Sequence, residues 1–157
     1  MNTILGIDPG LRVTGYGVIH QEKQNFIYES SGTIKTTKQD LDLAARIKII
    51  VRGIDEVIEK FSPSIVAIEK VFVNTNPQST LLLGQARGAA IAAIVSKEIN
   101  IYEYTALQIK KSVVGNGHAD KLQVQTMVQR LLKLPSLPGS DSGDALACAI
   151  CHANISD

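Results

Sequence analysis

Between Lys35 and Leu43 the apolar pattern of this chain changes period, and that switch restricts the folds open to it. Before it, Thr3–Ile7, Arg12–Ile19 and Phe26–Lys35 are short runs rich in β-branched or aromatic residues. Pro9-Gly10, a Gln-Glu-Lys-Gln-Asn stretch and the polar Ser30-Ser31-Gly32 interrupt them. Three strands joined by short links predict an antiparallel meander. After the switch, Leu43, Ile47, Ile50, Ile54, Val57 and Phe61 recur at spacings of 4, 3, 4, 3 and 4. That is one apolar stripe on a helix from about Asp40 to Lys60, ended by Pro63.

Ser64–Glu69 (SIVAIE) is compact and apolar and predicts a strand covered on both faces. A polar VFVNTNPQ loop then leads into a helix from about Ser79 to Glu98, rich in Gly and Ala. Asn100–Tyr104 is the fifth strand candidate, followed by helical sequence with loops at Gly115–Gly117 and Leu134–Gly143. Strands first, then helices alternating with strands, make an α/β fold: a five-stranded mixed sheet flanked by helices on both faces. No repeat or linker divides residues 1–157, which is the length of one domain.

Composition removes other classes. Hydrophobic residues make 45% and charged residues 20%, which excludes a disordered tail, a collagen repeat and a coiled coil. Two cysteines and an opening without a signal peptide predict a soluble, cytoplasmic protein. The most apolar later stretch, Gly88–Val95, is 8 residues against about 20 for a bilayer, so no membrane is expected. Cys148, Cys151 and His152 spell C-x-x-C-H, but in an Ala/Ile-rich helical run they read as packing residues.

Asp8 closes the first apolar strand, and Glu69 closes SIVAIE. A charge there is costly unless paired or metal-bound. If the two strands are adjacent and parallel, both acids reach one edge of the sheet, where α/β ligand sites lie. Asp141 and Asp144 open the last helix on nearly one face. Either could serve only as a helix-start acid. Four converging carboxylates repel one another, and a divalent cation is the usual remedy. An oxygen-only set suits Mg²⁺ or Mn²⁺, and two ions about 4 Å apart are a known device for phosphodiester cleavage.

The overall charge is only +1, so an anionic partner needs a local patch. Arg87 to Lys133 supplies one, with seven basic residues, among them Arg87, Lys110, Lys111 and Lys121, against three acids. Such a patch gives salt-dependent, largely sequence-blind phosphate binding, although a solvated helical face would look the same. The Gly115-Asn116-Gly117-His118 loop before Lys121 could set backbone N–H groups against a phosphate. Phe72, three residues after Glu69, could stack on an unpaired base.

GIDPGLRVTGYGVI, AIEKVFVNTNPQSTLLLGQARGAA, IKKSVVGNGHADKLQVQ and LLKLPSLPGSDSGDALACAICH, in that order, resemble the bacterial RuvC family of Holliday junction resolvases. The resemblance covers nearly the whole chain. It implies a ribonuclease H-like fold, a homodimer and Mg²⁺-dependent nicking of opposed strands of four-way junction DNA. It implies catalytic acids at Asp8, Glu69, Asp141 and Asp144, a DNA contact at Phe72, and basic residues near the active site at Lys110 and Lys121. RuvA and RuvB branch-migration proteins are the implied partners. A basic C-terminal tail present in some relatives has no counterpart after His152, so its share of DNA affinity is expected to be missing.

Two alternatives compete with this reading. An actin- or sugar-kinase-like ATPase needs a second domain and phosphate loops of the G-x-x-x-x-G-K-[ST] kind, which do not occur. A junction-binding protein without catalysis would be expected to lack one of the four acids.

Overall fold

A computed structural model describes residues 1–38, 40–70 and 76–156. The order is β1 (Asn2–Asp8), β2 (Val13–Glu22), β3 (Asn25–Lys35), α1 (Leu43–Phe61), β4 (Ile65–Glu69), α2 (Pro77–Val95), β5 (Asn100–Tyr104), α3 (Ala106–Val114), α4 (Lys121–Leu131) and α5 (Ser140–Ile155). The strands form one sheet in the order β3-β2-β1-β4-β5. The first three strands pair antiparallel, while β1/β4 and β4/β5 are parallel. This is the mixed sheet predicted from the period switch.

Alternation along β1 divides the core in two. Ile4 joins Ile109, Val128 and Ile150 beneath α3, α4 and α5, whereas Leu5 and Ile7 join Ile54, Ala90 and Ile94 beneath α1 and α2. In β4, Val66, Ala67 and Ile68 are all fully buried, which explains its unbroken apolar run.

Several boundaries differ from expectation, each for a local reason. The segment Ser30–Gly32 does not break β3; an edge strand tolerates polar residues, and a register shift opposite Val18/Ile19 absorbs the irregularity. Helix α1 starts at Leu43 because Asp40 sits at φ 63 and Asp42 accepts the Ala45 N–H at 2.8 Å. Helix α2 starts at Pro77, since Asn76 caps the N–H groups of Gln78 and Ser79 and proline suits the first turn. It ends at Val95, and Glu98 turns out at φ 60. Helix α5 starts at Ser140 behind Gly139, so Asp141 lies in its first turn and is not the N-cap residue.

Helix α5 lies almost directly on the backbone of the sheet. A Cβ on Gly6 would stand 1.9 Å from the Ala145 carbonyl oxygen, and one on Gly15 2.1 Å from that of Asp141. No flexible side chain can yield there. Gly6→Ala is therefore expected to cost about 3 kcal/mol, at the top of the usual overpacking range. Urea denaturation of the purified variant measures it, and an unchanged midpoint would contradict this packing.

Candidate active site

Two acids follow from strand register. Asp8 ends β1 opposite Gly15 of β2, and Ile7 pairs with Ile68 of the parallel β4. Glu69, one residue beyond Ile68, thus emerges beside Asp8 at the carboxyl edge of the sheet. The other two follow from α5, whose first turns cross the bare backbone at Gly15 and Gly6. Thr14 was not singled out from the sequence, yet it is buried and fastens the turn after Asp8. Its hydroxyl donates to the Gly10 carbonyl at 2.8 Å and accepts the Gly10 N–H.

Electrostatics shows the convergence. Burial, then the charges of Asp144, Glu69 and Asp141, push the Asp8 carboxyl up to about 7, with Lys121 opposing. Glu69 is raised by burial and then by Asp144, while Lys110 and Lys121 hold it down. Burial also raises Asp144, against the pull of Lys121, whose Nζ donates to Asp144 Oδ2 at 3.1 Å. The carboxylates feel one another without closing on a common centre. Among the described residues, no three His, Cys, Asp or Glu side chains stand close enough to hold one ion.

The donor set nevertheless suits a hard divalent cation. It offers only oxygens, and a carboxyl pushed up to about 7 by burial and by its acidic neighbours gains most from an added positive charge. The sign of the pH effect follows. The unfolded chain releases the Asp8 proton near 3.8 and the folded chain near 7. Between those values the folded state binds more protons, so the metal-free protein loses stability as pH rises. Melting temperature without metal is expected to fall from pH 5 to pH 8, with Asp8→Asn removing much of that slope. Mg²⁺ is expected to raise the wild-type melting temperature more at pH 8 than at pH 6, because a ligating Asp8 must give up its proton. An identical slope in both proteins would contradict the Asp8 assignment.

A cavity of about 230 Å³ opens beside Glu69 and Asp144, with Lys110 and Lys121 in its wall. The other proposed basic residues are placed differently. Lys111 and His118 are exposed and do not line it. Arg87 is engaged by the Glu103 carboxylate in an ion pair. Two amides of the phosphate cradle expected at Gly115–His118 are already bonded: Gly115 N–H donates to the Lys111 carbonyl and His118 N–H to the Asn116 side chain. Ala119 N–H donates to the Asn116 carbonyl, and Asp120 N–H to the Gln123 side chain in the α4 capping box. Cys148 and Cys151 are buried free thiols, and His152 Nδ1 is bonded to the Tyr104 hydroxyl at 2.6 Å, in keeping with a packing role. Phe72 lies outside the described residues.

A family model, Crossover junction endodeoxyribonuclease RuvC, matches residues 4–152. The chain belongs to the RuvC family. A RuvC from Methylobacillus flagellatus is 63% identical over 155 residues, spanning 96% of this chain and 86% of the relative. One from Janthinobacterium sp. is 62% identical over 151 residues, 96% of this chain and 83% of the relative. Among solved structures, Thermus thermophilus RuvC in complex with a Holliday junction substrate superposes with a TM-score of 0.93 at 30% identity, covering 99% of this chain and 95% of that one. Yeast mitochondrial Ydc2, a Holliday junction resolvase, shares the fold at 13% identity and a TM-score of 0.70, over 98% and 79% of the two chains. The fold is thus that of RuvC, ribonuclease H-like as the sequence resemblance implied. No helix among the described residues is long and apolar enough to cross a membrane.

Proposed function

We propose that this chain resolves four-way DNA junctions as a homodimer, with Asp8, Glu69, Asp141 and Asp144 holding Mg²⁺ ions at the scissile phosphate. The observation that carries the reading is the convergence on Asp8 of Glu69 from β4 and Asp144 and Asp141 from α5, whose charges join burial in raising the Asp8 carboxyl at one sheet edge. When bound, such ions supply an activated water and a counter-charge for the leaving oxygen. The acids fix where that charge sits. Lys121 pairs with Asp144, and with a cation held by that carboxylate its ammonium would be available to a phosphate oxygen. Lys110, across the cavity wall, offers a second cation to the same phosphate. Lys111, His118 and Phe72 extend the DNA contact beyond the site, as does Arg87 where its pairing with Glu103 allows.

Helix α2 supports the dimer. Its inward face carries the buried Ala86, Ala90, Ala93 and Ile94. Gly84, Gly88 and Ala92 face outward, flanked by Leu81 at 64% and Val95 at 53% exposure. A Cβ at Gly84 or Gly88 would meet nothing within 4 Å, so that face does not pack on its own sheet. A second copy is the occupant that a two-fold substrate calls for. RuvA and RuvB remain the partners implied for branch migration.

Incubation with an end-labelled synthetic four-way junction and Mg²⁺ tests the reading, with linear duplex as control. Paired nicks near the branch point are expected, and equal cutting of both DNAs would overturn junction selectivity. The lysines are tested in the same assay. Neutralising Lys110 or Lys121 is expected to lower single-turnover cleavage about a hundredfold while affinity falls far less, because charge accumulates at the phosphate in the transition state. If they only grip the backbone, affinity falls instead and its salt slope flattens by about one unit per lysine.

A further inference from the structure

We infer that Arg46, in the first turn of α1, is a positioning residue for the candidate metal site: through Thr36 it holds the turn that follows Asp8. The inference rests on the metal-site reading above. It adds to that reading a residue carried by α1, an element that supplies none of the four acids. Arg46 stands where a helix disfavours it. A cation in the first turn opposes the helix dipole, so an arginine there calls for partners elsewhere. Its Nη1 donates to the Thr36 carbonyl at 2.6 Å and to the Thr36 hydroxyl oxygen at 3.3 Å, and its Nε to the Leu41 carbonyl at 3.3 Å.

Thr36 is fully buried, and its own bonds lead on to the turn. Its N–H donates to the Arg12 carbonyl at 2.9 Å, and its hydroxyl donates to the Leu11 carbonyl. The direction of this relay is fixed. A guanidinium only donates, so the Thr36 hydroxyl oxygen accepts from Arg46 and its single proton is left for Leu11. A charged donor at the head strengthens the bonds behind it. Thr14 closes the turn through Gly10, whose N–H and carbonyl both bond its hydroxyl. Gly10, Leu11 and Arg12 are therefore each bonded to a buried threonine, and Pro9, with its fixed φ, joins them to Asp8. That anchorage matters because the charges of Asp144, Glu69 and Asp141 act against an ionised Asp8. A turn free to shift lets the carboxylate retreat from its neighbours before a cation arrives. Ligands need to be held within about 0.5 Å of their working geometry.

Three variants test the relay. Thr36→Val removes the hydroxyl and keeps the shape, Thr36→Ser keeps the hydroxyl, and Arg46→Met removes the donors at a half-buried position. Mn²⁺ is titrated at pH 8 by the electron paramagnetic resonance of the free ion, well below each protein's melting temperature. Single-turnover junction cleavage is followed across a Mg²⁺ series. Thr36→Val and Arg46→Met are each expected to weaken Mn²⁺ binding about tenfold, as loss of an outer partner of a metal site does. The Mg²⁺ needed for half-maximal cleavage is expected to rise by a similar factor, while Thr36→Ser behaves as wild type and metal-free junction affinity is unchanged in all three. A purely structural staple would lower the melting temperature and leave metal affinity alone. Should Thr36→Val lose its native circular dichroism, Arg46→Met alone decides. Wild-type Mn²⁺ affinity in Arg46→Met, or a folded Thr36→Ser that binds as weakly as Thr36→Val, would overturn the relay. Wild-type protein that binds no Mn²⁺ would instead overturn the metal-site reading itself.

Discussion

Asp8→Asn is expected to reduce junction cleavage in Mg²⁺ by about a thousandfold or more, while junction binding stays intact or tightens. Asparagine keeps the shape of the side chain and loses its charge. Metal coordination weakens, and so does repulsion of the DNA phosphates. Glu69→Gln and Asp144→Asn are expected to behave alike, since each acid raises the pKa of Asp8. The two effects have opposite signs on rate and affinity, so misfolding cannot imitate the pair. Mobility-shift assays and single-turnover cleavage on one protein preparation check both, and a variant that cuts at the wild-type rate leaves the site.

Gly88→Leu is expected to yield a folded monomer that has lost coupled nicking. The added side chain points into open space in the isolated chain, so the fold should survive. In a dimer that brings two α2 helices together at Gly84, Gly88 and Ala92, the same side chain occupies the contact. Sedimentation should show the monomer, and intact supercoiled junction plasmid should give single nicks in place of linear product. A folded, dimeric and fully active Gly88→Leu protein contradicts this use of α2.

The sheet was legible in the sequence because both of its signals are local. A period of two became one near four at Lys35–Leu43, and Asp8 and Glu69 interrupted apolar runs that their strands bury. Asp141 and Asp144 were legible only as a pair at a helix start. What presses them toward Asp8 is a contact between backbones at Gly6 and Gly15, and a glycine in a strand does not announce its distant neighbour. Charge type was readable and charge pairing was not. Arg87 and Glu103 lie sixteen residues apart on α2 and β5, and only the fold brings them together. In the Gly115–His118 loop, the bond from His118 N–H to the Asn116 side chain depends on φ and ψ and so does not show in the sequence. Ala106, Val124 and Ala147, which also line the cavity beside Glu69 and Asp144, carried no chemical signal in the sequence.

The claim on which the account stands is that the four acids form a divalent-metal site. Titration of Mn²⁺ followed by the electron paramagnetic resonance of the free ion measures this without any substrate. The account predicts that wild-type protein at pH 8 removes Mn²⁺ from solution, that binding weakens at pH 6 as Asp8 regains its proton, and that Asp8→Asn and Asp144→Asn each remove most of it. Equal Mn²⁺ binding by wild type and both variants at pH 8 would contradict it.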